Sequence, residues 1–291
     1  MSSEKFNKPR TGTGTREWSE KSCNIGHGCA NDCIYCYARW DNEVRYRQIA
    51  PGDWKYEKIR WDKVHRQERP VKGVVMFPSQ HDITAAYLEP ALIKITQHLQ
   101  MGNKLLIVTK PSWPVFNEIM EHIEHLGKDA KDNVMFRISM TGTDPLTAIF
   151  WEPSAPAPEE RLYCLKEAFD RGFKTSVSAE PILPTYTTLA MAGRDIYSAC
   201  AQYTTDSVWF GLLNKPGLRI RGINKDLLAR INEYQKPERV LDLVRHFRPE
   251  HLHPKVRWKD SIQAIIDKAL ELGTLPPSAP PPAARGNDNA G

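Results

Sequence analysis

The sequence has no stretch of eighteen apolar residues, which excludes a membrane-spanning helix of ordinary length. Its opening, MSSEKFNKPRTGTGTREW, lacks the apolar core of a secretion signal. The cytoplasm is therefore the expected compartment, with no membrane partner. Cysteine is sparse: of six, Cys23, Cys29, Cys33 and Cys36 crowd into one short stretch. Cys164 and Cys200 stand alone and read as small buried hydrophobes. In a cytoplasmic chain of 291 residues, such crowding points to metal ligation rather than disulfide pairing. No charge sign dominates either. A net charge of +5 permits an anionic partner without requiring one.

The ends also lack something. Residues 276–291, within PPSAPPPAARGNDNAG, hold no large apolar side chain and are expected to form a disordered tail. Residues 1–20 read as a loose segment, with Trp18 anchoring it onto the body.

Between these ends, short apolar runs alternate with helical patterns. Strands are expected at Ser22–Ile25, Gly73–Phe77, Lys104–Thr109, Val134–Met140, Thr175–Ala179 and Ser207–Leu213. The last five recur every 30–40 residues, about one βα unit apart. Helical faces follow at Leu88, Ala91, Leu92, Ile95 and Leu99, then at Phe116, Ile119, Met120, Ile123 and Leu126. A third face is marked by Leu162, Leu165 and Phe169. Apolar strands each followed by a helix imply a parallel sheet covered by helices. The expected architecture is an α/β fold, a partial (β/α)6 TIM-like barrel over 21–215, with a mainly helical C-terminal extension over 216–275. Within that extension, Val256 to Ser261 is a possible last strand entering a helix, with Lys259 near the barrel mouth. In such folds chemistry sits at the C-terminal ends of the strands.

Cys29-Ala-Asn-Asp-Cys33-Ile-Tyr-Cys36 has the spacing CxxxCxxC and follows the first strand directly. Three thiolates on one loop can ligate three irons of a [4Fe–4S] cubane and leave the fourth open to a small molecule. Gly26 and Gly28 let the loop turn tightly. The competing reading is a zinc knot, because Cys23 and His27 lie nearby. Zinc sites usually need a second ligand pair, and none is evident.

At these residues the chain resembles the radical S-adenosylmethionine (SAM) superfamily, whose motif carries an aromatic residue before the last cysteine, here Tyr35. The resemblance implies a [4Fe–4S] cluster on Cys29, Cys33 and Cys36, with SAM chelated to the open iron and Tyr35 packed near its adenine. It implies reductive cleavage of SAM to a 5′-deoxyadenosyl radical that abstracts hydrogen from a substrate. An external electron donor such as flavodoxin or ferredoxin is implied as well.

Over residues 20–215 the chain is similar to the spore-photoproduct-lyase-like branch of that superfamily. Tyr35 and Tyr37 flank Cys36 as in that branch, and Ser139 to Asp144, Glu152 to Pro156, Arg161-Leu162 and Glu180 to Pro184 follow its pattern. The resemblance implies that Lys110 and Ser139 contact the SAM carboxylate. It departs where the branch carries a hydrogen-donating cysteine, because Phe77-Pro-Ser-Gln-His-Asp82 has none. That puts thymine-dimer reversal by that route in doubt. Ser79, and with it Gln80, is instead a pocket residue for SAM or substrate. Tyr37, His81 and Glu180 are the candidate catalytic side chains; His81 or Asp82 could alternatively cap the next helix.

Residues 39–72 interleave basic groups with Trp40, Tyr46, Trp54, Tyr56 and Trp61, which suits phosphates and stacked bases but equally a packed connection. Lys215, Arg219 and Arg221 form a second basic group near the mouth. Nucleic acid is accordingly the leading substrate class. A peptide, protein or small metabolite is the alternative, and a zinc-stabilised binding module without catalysis is the alternative of another kind.

Overall fold

The computed structural model describes residues 14–184, 187–248 and 252–276. Residues 1–13 of the expected loose segment and 277–291 of the expected tail lie outside the described residues.

Nine strands are described: β1 (Lys21–Ser22), β2 (Gly26–His27), β3 (Lys58–Ile59), β4 (Val74–Phe77), β5 (Lys104–Thr109), β6 (Val134–Ser139), β7 (Lys174–Ala179), β8 (Val208–Phe210) and β9 (Val256–Trp258). Seven form one sheet in the order β1-β4-β5-β6-β7-β8-β9, and every pairing in it is parallel. The β2 and β3 strands form a separate antiparallel ribbon beside the cysteine loop. The first expected strand is therefore broken. Only Lys21–Ser22 is strand, the Cys23 amide still donates to the Met76 carbonyl at 2.9 Å, and the chain then departs to pair at Gly26–His27 with β3.

This is the partial α/β barrel expected from the sequence, and no closed barrel is detected among the described residues. The segment beyond residue 215 contributes helices and also a strand, since β9 adds to the sheet beside β8. Its helix, Asp260–Glu271, begins at once, as the sequence suggested.

Alternation along the strands divides the chemistry between the two faces. Val75, Phe77, Leu105, Ile107, Phe136, Ile138, Val177 and Phe210 point outward and bury against the helices. Those helices include Leu88–Gln100, Trp113–His125, Pro158–Asp170 and Leu189–Cys200. The helix Pro158–Asp170 turns differently from expectation. It buries Arg161, Cys164, Leu165 and Ala168, so the stripe through Leu162 and Phe169 is only its edge. A buried arginine hides that face from an apolar count. Cys164 and Cys200 are fully buried, as expected of small hydrophobes.

The inner face holds Val74, Met76, Leu106 and Met135, and Trp18 packs among them. Trp18 is 6% exposed, which anchors the N-terminal segment inside the half-barrel. Its ring lies 4.5 Å from the Arg137 guanidinium, which also donates to Ser176 Oγ at 3.0 Å. Burial lowers the Arg137 pKa to about 10. This tryptophan–arginine layer is the floor beneath the strand ends. Among the described residues, no helix is long and apolar enough to cross a membrane.

Candidate functional site at the strand ends

The same alternation delivers the site. Counting in twos along the inner face leads from Leu106 and Val108 to Lys110, from Met135 and Arg137 to Ser139, and from Ser176 and Ser178 to Glu180. The β6–β7 register sets Ser139 opposite Ser178. Lys110, Ser139 and Glu180 thus leave consecutive strand ends on one side, and all line a cavity of about 780 Å³. Cys29, Cys33, Tyr35, Cys36, Tyr37, Ser79 and His81 line it too. Every candidate site residue read from the sequence meets there.

The cysteine loop is held from several directions. Gly28 has φ +85°, and a Cβ there would collide with the Tyr56 and Trp54 carbonyl oxygens. Only glycine fits that approach. The Asn31 side-chain amide donates to Asp82 Oδ2 at 2.9 Å. Asp32 accepts two bonds from Arg221, at 2.7 and 2.8 Å, and the Arg221 amide donates to the Ile34 carbonyl. The Arg39 guanidinium donates to the Arg219 carbonyl at 2.7 Å. Residues 219–221, which follow β8 in the chain, therefore clamp the loop.

Burial pushes the Cys33 thiol up to about 12, and Cys29 and Cys36 also stand above the ordinary thiol range, chiefly through burial. All three are free of disulfides. Tetrahedral zinc, about 2.3 Å from each sulfur, would draw the sulfurs to within about 4 Å of one another. They are not gathered so closely. Among the described residues, the one three-ligand set with donor atoms all within 4.8 Å is Cys23, Glu68 and His98. In that set Lys94 and Lys21 hold the Glu68 oxygens at 2.7 and 2.8 Å, so two ammonium groups already oppose an incoming cation. The wider Cys29–Cys33–Cys36 set suits a cluster in which each thiolate takes a separate iron. Binding there must displace the thiol protons.

Glu152 lies behind the cavity wall and is not singled out as a site residue by the sequence, although it opens the Glu152 to Pro156 pattern. Its carboxylate is fully buried. It accepts from Tyr35 Oη and, at 3.0 Å, from Thr141 Oγ1. Arg161 Nη2 lies 2.6 Å away and Lys110 Nζ 3.6 Å away. Burial works against the carboxylate, but Lys110 and Arg161 outweigh it and hold its pKa below the usual range. For Lys110, burial is outweighed by Cys33 and Glu152, and its pKa is raised. A permanent cation thus faces the cysteines, with its ammonium 5.8 Å from the Tyr35 ring.

His81 is tied to the backbone at both ring nitrogens. It is 6% exposed, its Nε2 accepts from the Ile25 amide at 3.1 Å, and its Nδ1 meets the Asp82 carbonyl at 2.9 Å. That pattern requires a neutral ring protonated on Nδ1. Burial agrees, lowering its pKa to about 4. Neither His81 nor Asp82 caps a helix. Asp82 instead accepts from the Ile83 and Lys110 amides, the Asn31 amide and the Thr109 hydroxyl. Ser79 Oγ accepts from Asn24 at 2.9 Å, and its carbonyl accepts from Tyr37 Oη. The Ser139 carbonyl accepts from Arg161 at 3.3 Å.

Glu180 is raised by its burial, while Lys259 draws it down from 3.5 Å. Lys259 is wholly buried and also meets Glu17 at 2.8 Å and the Gly14 carbonyl at 2.8 Å. The sequence sets Lys259 near the mouth; its partners in the N-terminal segment carry no sequence signal. In the 39–72 connection, Trp54 is buried whereas Tyr46, Tyr56 and Trp61 are exposed.

No family model matches the chain. It is 26% identical over 224 residues to the uncharacterized protein ORF301 of Acidianus two-tailed virus, covering 72% of each chain. A structure of a spore photoproduct lyase point mutant matches with a TM-score of 0.53 at 14% identity, over 87% of this chain and 78% of that one. A double mutant of the lyase with bound AdoMet and dinucleoside spore photoproduct matches with a TM-score of 0.52 at 15% identity, over 86% and 78%. Another structure of the lyase, at a TM-score of 0.48, is matched over 63% of its length, so this chain spans less than two thirds of it. The half-barrel around the cysteine loop is the fold of spore photoproduct lyase.

Proposed function

We propose that this chain is a radical SAM enzyme that abstracts hydrogen from a nucleic-acid substrate. The observation that carries the reading is the shared cavity. Three free thiols on one loop face a lysine and a serine from neighbouring strand ends in a space of about 780 Å³. The donor set fits a [4Fe–4S] cluster held by Cys29, Cys33 and Cys36. The chemistry it would supply, once reduced and with SAM bound, is one-electron reductive cleavage of SAM to methionine and a 5′-deoxyadenosyl radical.

The chain's own residues supply position and charge. Lys110 offers its ammonium to the SAM carboxylate, with Ser139 beside it. Tyr35, fixed through its hydroxyl to Glu152, presents a ring to the adenine. Tyr37 is pinned to the Ser79 carbonyl, and its ring forms the wall between the cysteines and Arg219. Ser79 and Glu180 are polar contacts for SAM or substrate. His81, with both nitrogens committed to backbone, is a positioning residue for the cysteine loop rather than an acid or base. The buried floor of Trp18 and Arg137 keeps bulk water from below. The fold shared with a lyase crystallised with a dinucleoside photoproduct supports the substrate class.

The test is anaerobic purification followed by iron, sulfide and zinc analysis, then incubation with dithionite and SAM. About four irons per chain with 5′-deoxyadenosine formed is the expected result. Stoichiometric zinc with SAM intact would assign the cysteines a structural role.

A further inference from the structure

The cavity wall carries an unbalanced pair of charges. Its cationic side chains are Lys110, Lys215 and Arg219. Lys110 is matched by Glu152 at 3.6 Å. The acidic side chains on the wall are engaged as well. Asp41 faces Arg45 at 3.7 Å, and Glu180 faces Lys259 at 3.5 Å. Asp82 accepts its four donors, and Asp260 accepts from the Ser261 amide at 2.8 Å. Of the nearby cations off the wall, Arg221 is bound to Asp32 and Arg39 to Glu43. Among the described residues, Lys215 and Arg219 have no carboxylate within 4.0 Å.

Two further observations set this pair apart from ordinary surface charge. Arg219 Nε is buried and has no hydrogen-bond partner, while its guanidinium stands 5.9 Å from the Tyr37 ring. Lys215 is held at φ +54°, a left-handed conformation that costs a non-glycine residue and fixes where its side chain starts. An arginine fork with open donors and a lysine point charge on one wall match a phosphate ester, whose oxygens take several donors at once.

We propose that Lys215 and Arg219 form a phosphate subsite that grips the backbone of a nucleic-acid strand and sets which unit reaches the cysteine side of the cavity. This deepens, and rests on, the reading of the cavity as a nucleic-acid-modifying site. Phosphate contacts fix register without reading sequence. The subsite is therefore expected to bind strands of any sequence, leaving selectivity to the reacting unit.

The experiment measures fluorescence anisotropy of a labelled single-stranded DNA oligonucleotide with the anaerobic, iron-loaded protein over a range of salt. The double variant Lys215→Met with Arg219→Met should weaken binding about ten-fold at low salt. It should also reduce the slope of log affinity against log salt by about 0.7 for each phosphate that is no longer neutralised. Arg219→Lys, which keeps the charge, should keep the slope. Lys166→Met, on the exposed outer helix, should change nothing. Competition by a nucleoside monophosphate would mark the subsite as taking free nucleotides as well, and its absence would mark a strand-specific grip; either supports a phosphate site. Wild-type protein that does not bind the oligonucleotide, or a double variant with unchanged affinity and slope, overturns the proposal. Formation of 5′-deoxyadenosine without oligonucleotide is scored separately. It can persist when the subsite fails, and its own loss counts against the radical SAM reading instead.

Discussion

The Asn31 side-chain amide donates to the Asp82 carboxylate at 2.9 Å, and the same Asp82 oxygen accepts the Lys110 amide at 2.9 Å. One carboxylate thereby spaces the cysteine loop from the strand end that carries the cavity's lysine. The other oxygen accepts from the Ile83 amide and the Thr109 hydroxyl. Every partner is a donor. Asp82→Asn would turn its amide NH2 toward at least one backbone N–H whichever way the amide sat, and should cost about 2–3 kcal/mol. Urea unfolding of the metal-free protein measures this, and a variant as stable as wild type would remove Asp82 as the spacer.

Gly28 gives a sharper test of the loop's path. A Cβ at this residue meets the backbone oxygens of Tyr56 and Trp54, which have no freedom to swing aside, and the residue sits at φ +85°. Gly28→Ala should destabilise the fold by more than about 1 kcal/mol. It should also lower the iron bound per chain, because Cys29 is the next residue. Gly52, at φ +90° with open space around it, makes a fair comparison. Gly52→Ala carries the conformational strain alone and should leave iron content unchanged.

Much of this is legible in the sequence, for physical reasons that differ by element. Lys104–Thr109 is legible to the residue because a buried parallel strand is an uninterrupted apolar run between a glycine-bearing turn and a proline. CxxxCxxC marks the ligand loop because the spacing itself is the chemistry. Arg161 and Glu152 are harder. Each is polar in sequence yet fully buried, and they are made acceptable by each other, by Thr141, and by Tyr35 and Lys110, which are distant along the chain. The Arg221–Asp32 clamp spans 189 residues, so no local pattern announces it. His81 reads as catalytic from its place after a strand, whereas its partners, the Ile25 amide and the Asp82 carbonyl, are main-chain groups invisible to residue type.

Acid stability offers a test away from the cavity. Burial alone would raise Glu68, but Lys21 and Lys94 bond to it and lower its pKa from 4.5 to about 2. A carboxylate depressed in the folded state contributes its stability above the unfolded pKa and loses it as pH falls through the folded one. The stability advantage of wild type over Glu68→Gln should be full above pH 4.5 and shrink as the pH falls toward 2. Denaturant melts of both proteins at stepped pH measure the gap. A gap constant with pH would mean that the lysines act through packing rather than charge.

Lys110 and Glu152 lie 3.6 Å apart, yet removing either should give opposite signatures. Lys110 lines the cavity, and its side chain keeps 15% exposure. Lys110→Ala leaves Glu152 with Arg161, Tyr35 and Thr141, so the carboxylate stays satisfied and the metal-free fold should lose little. SAM affinity of the iron-loaded protein should fall about ten-fold, the worth of one charge-assisted contact. Glu152→Ala instead strands a wholly buried Arg161 guanidinium and frees the Tyr35 hydroxyl. That should cost about 3–5 kcal/mol of stability before any cofactor is considered. Calorimetric SAM titration and unfolding of the metal-free protein, run on both variants, separate the two effects. If Lys110→Ala bound SAM as tightly as wild type, the lysine would be a structural partner of Glu152 and the carboxylate of SAM would need another cation.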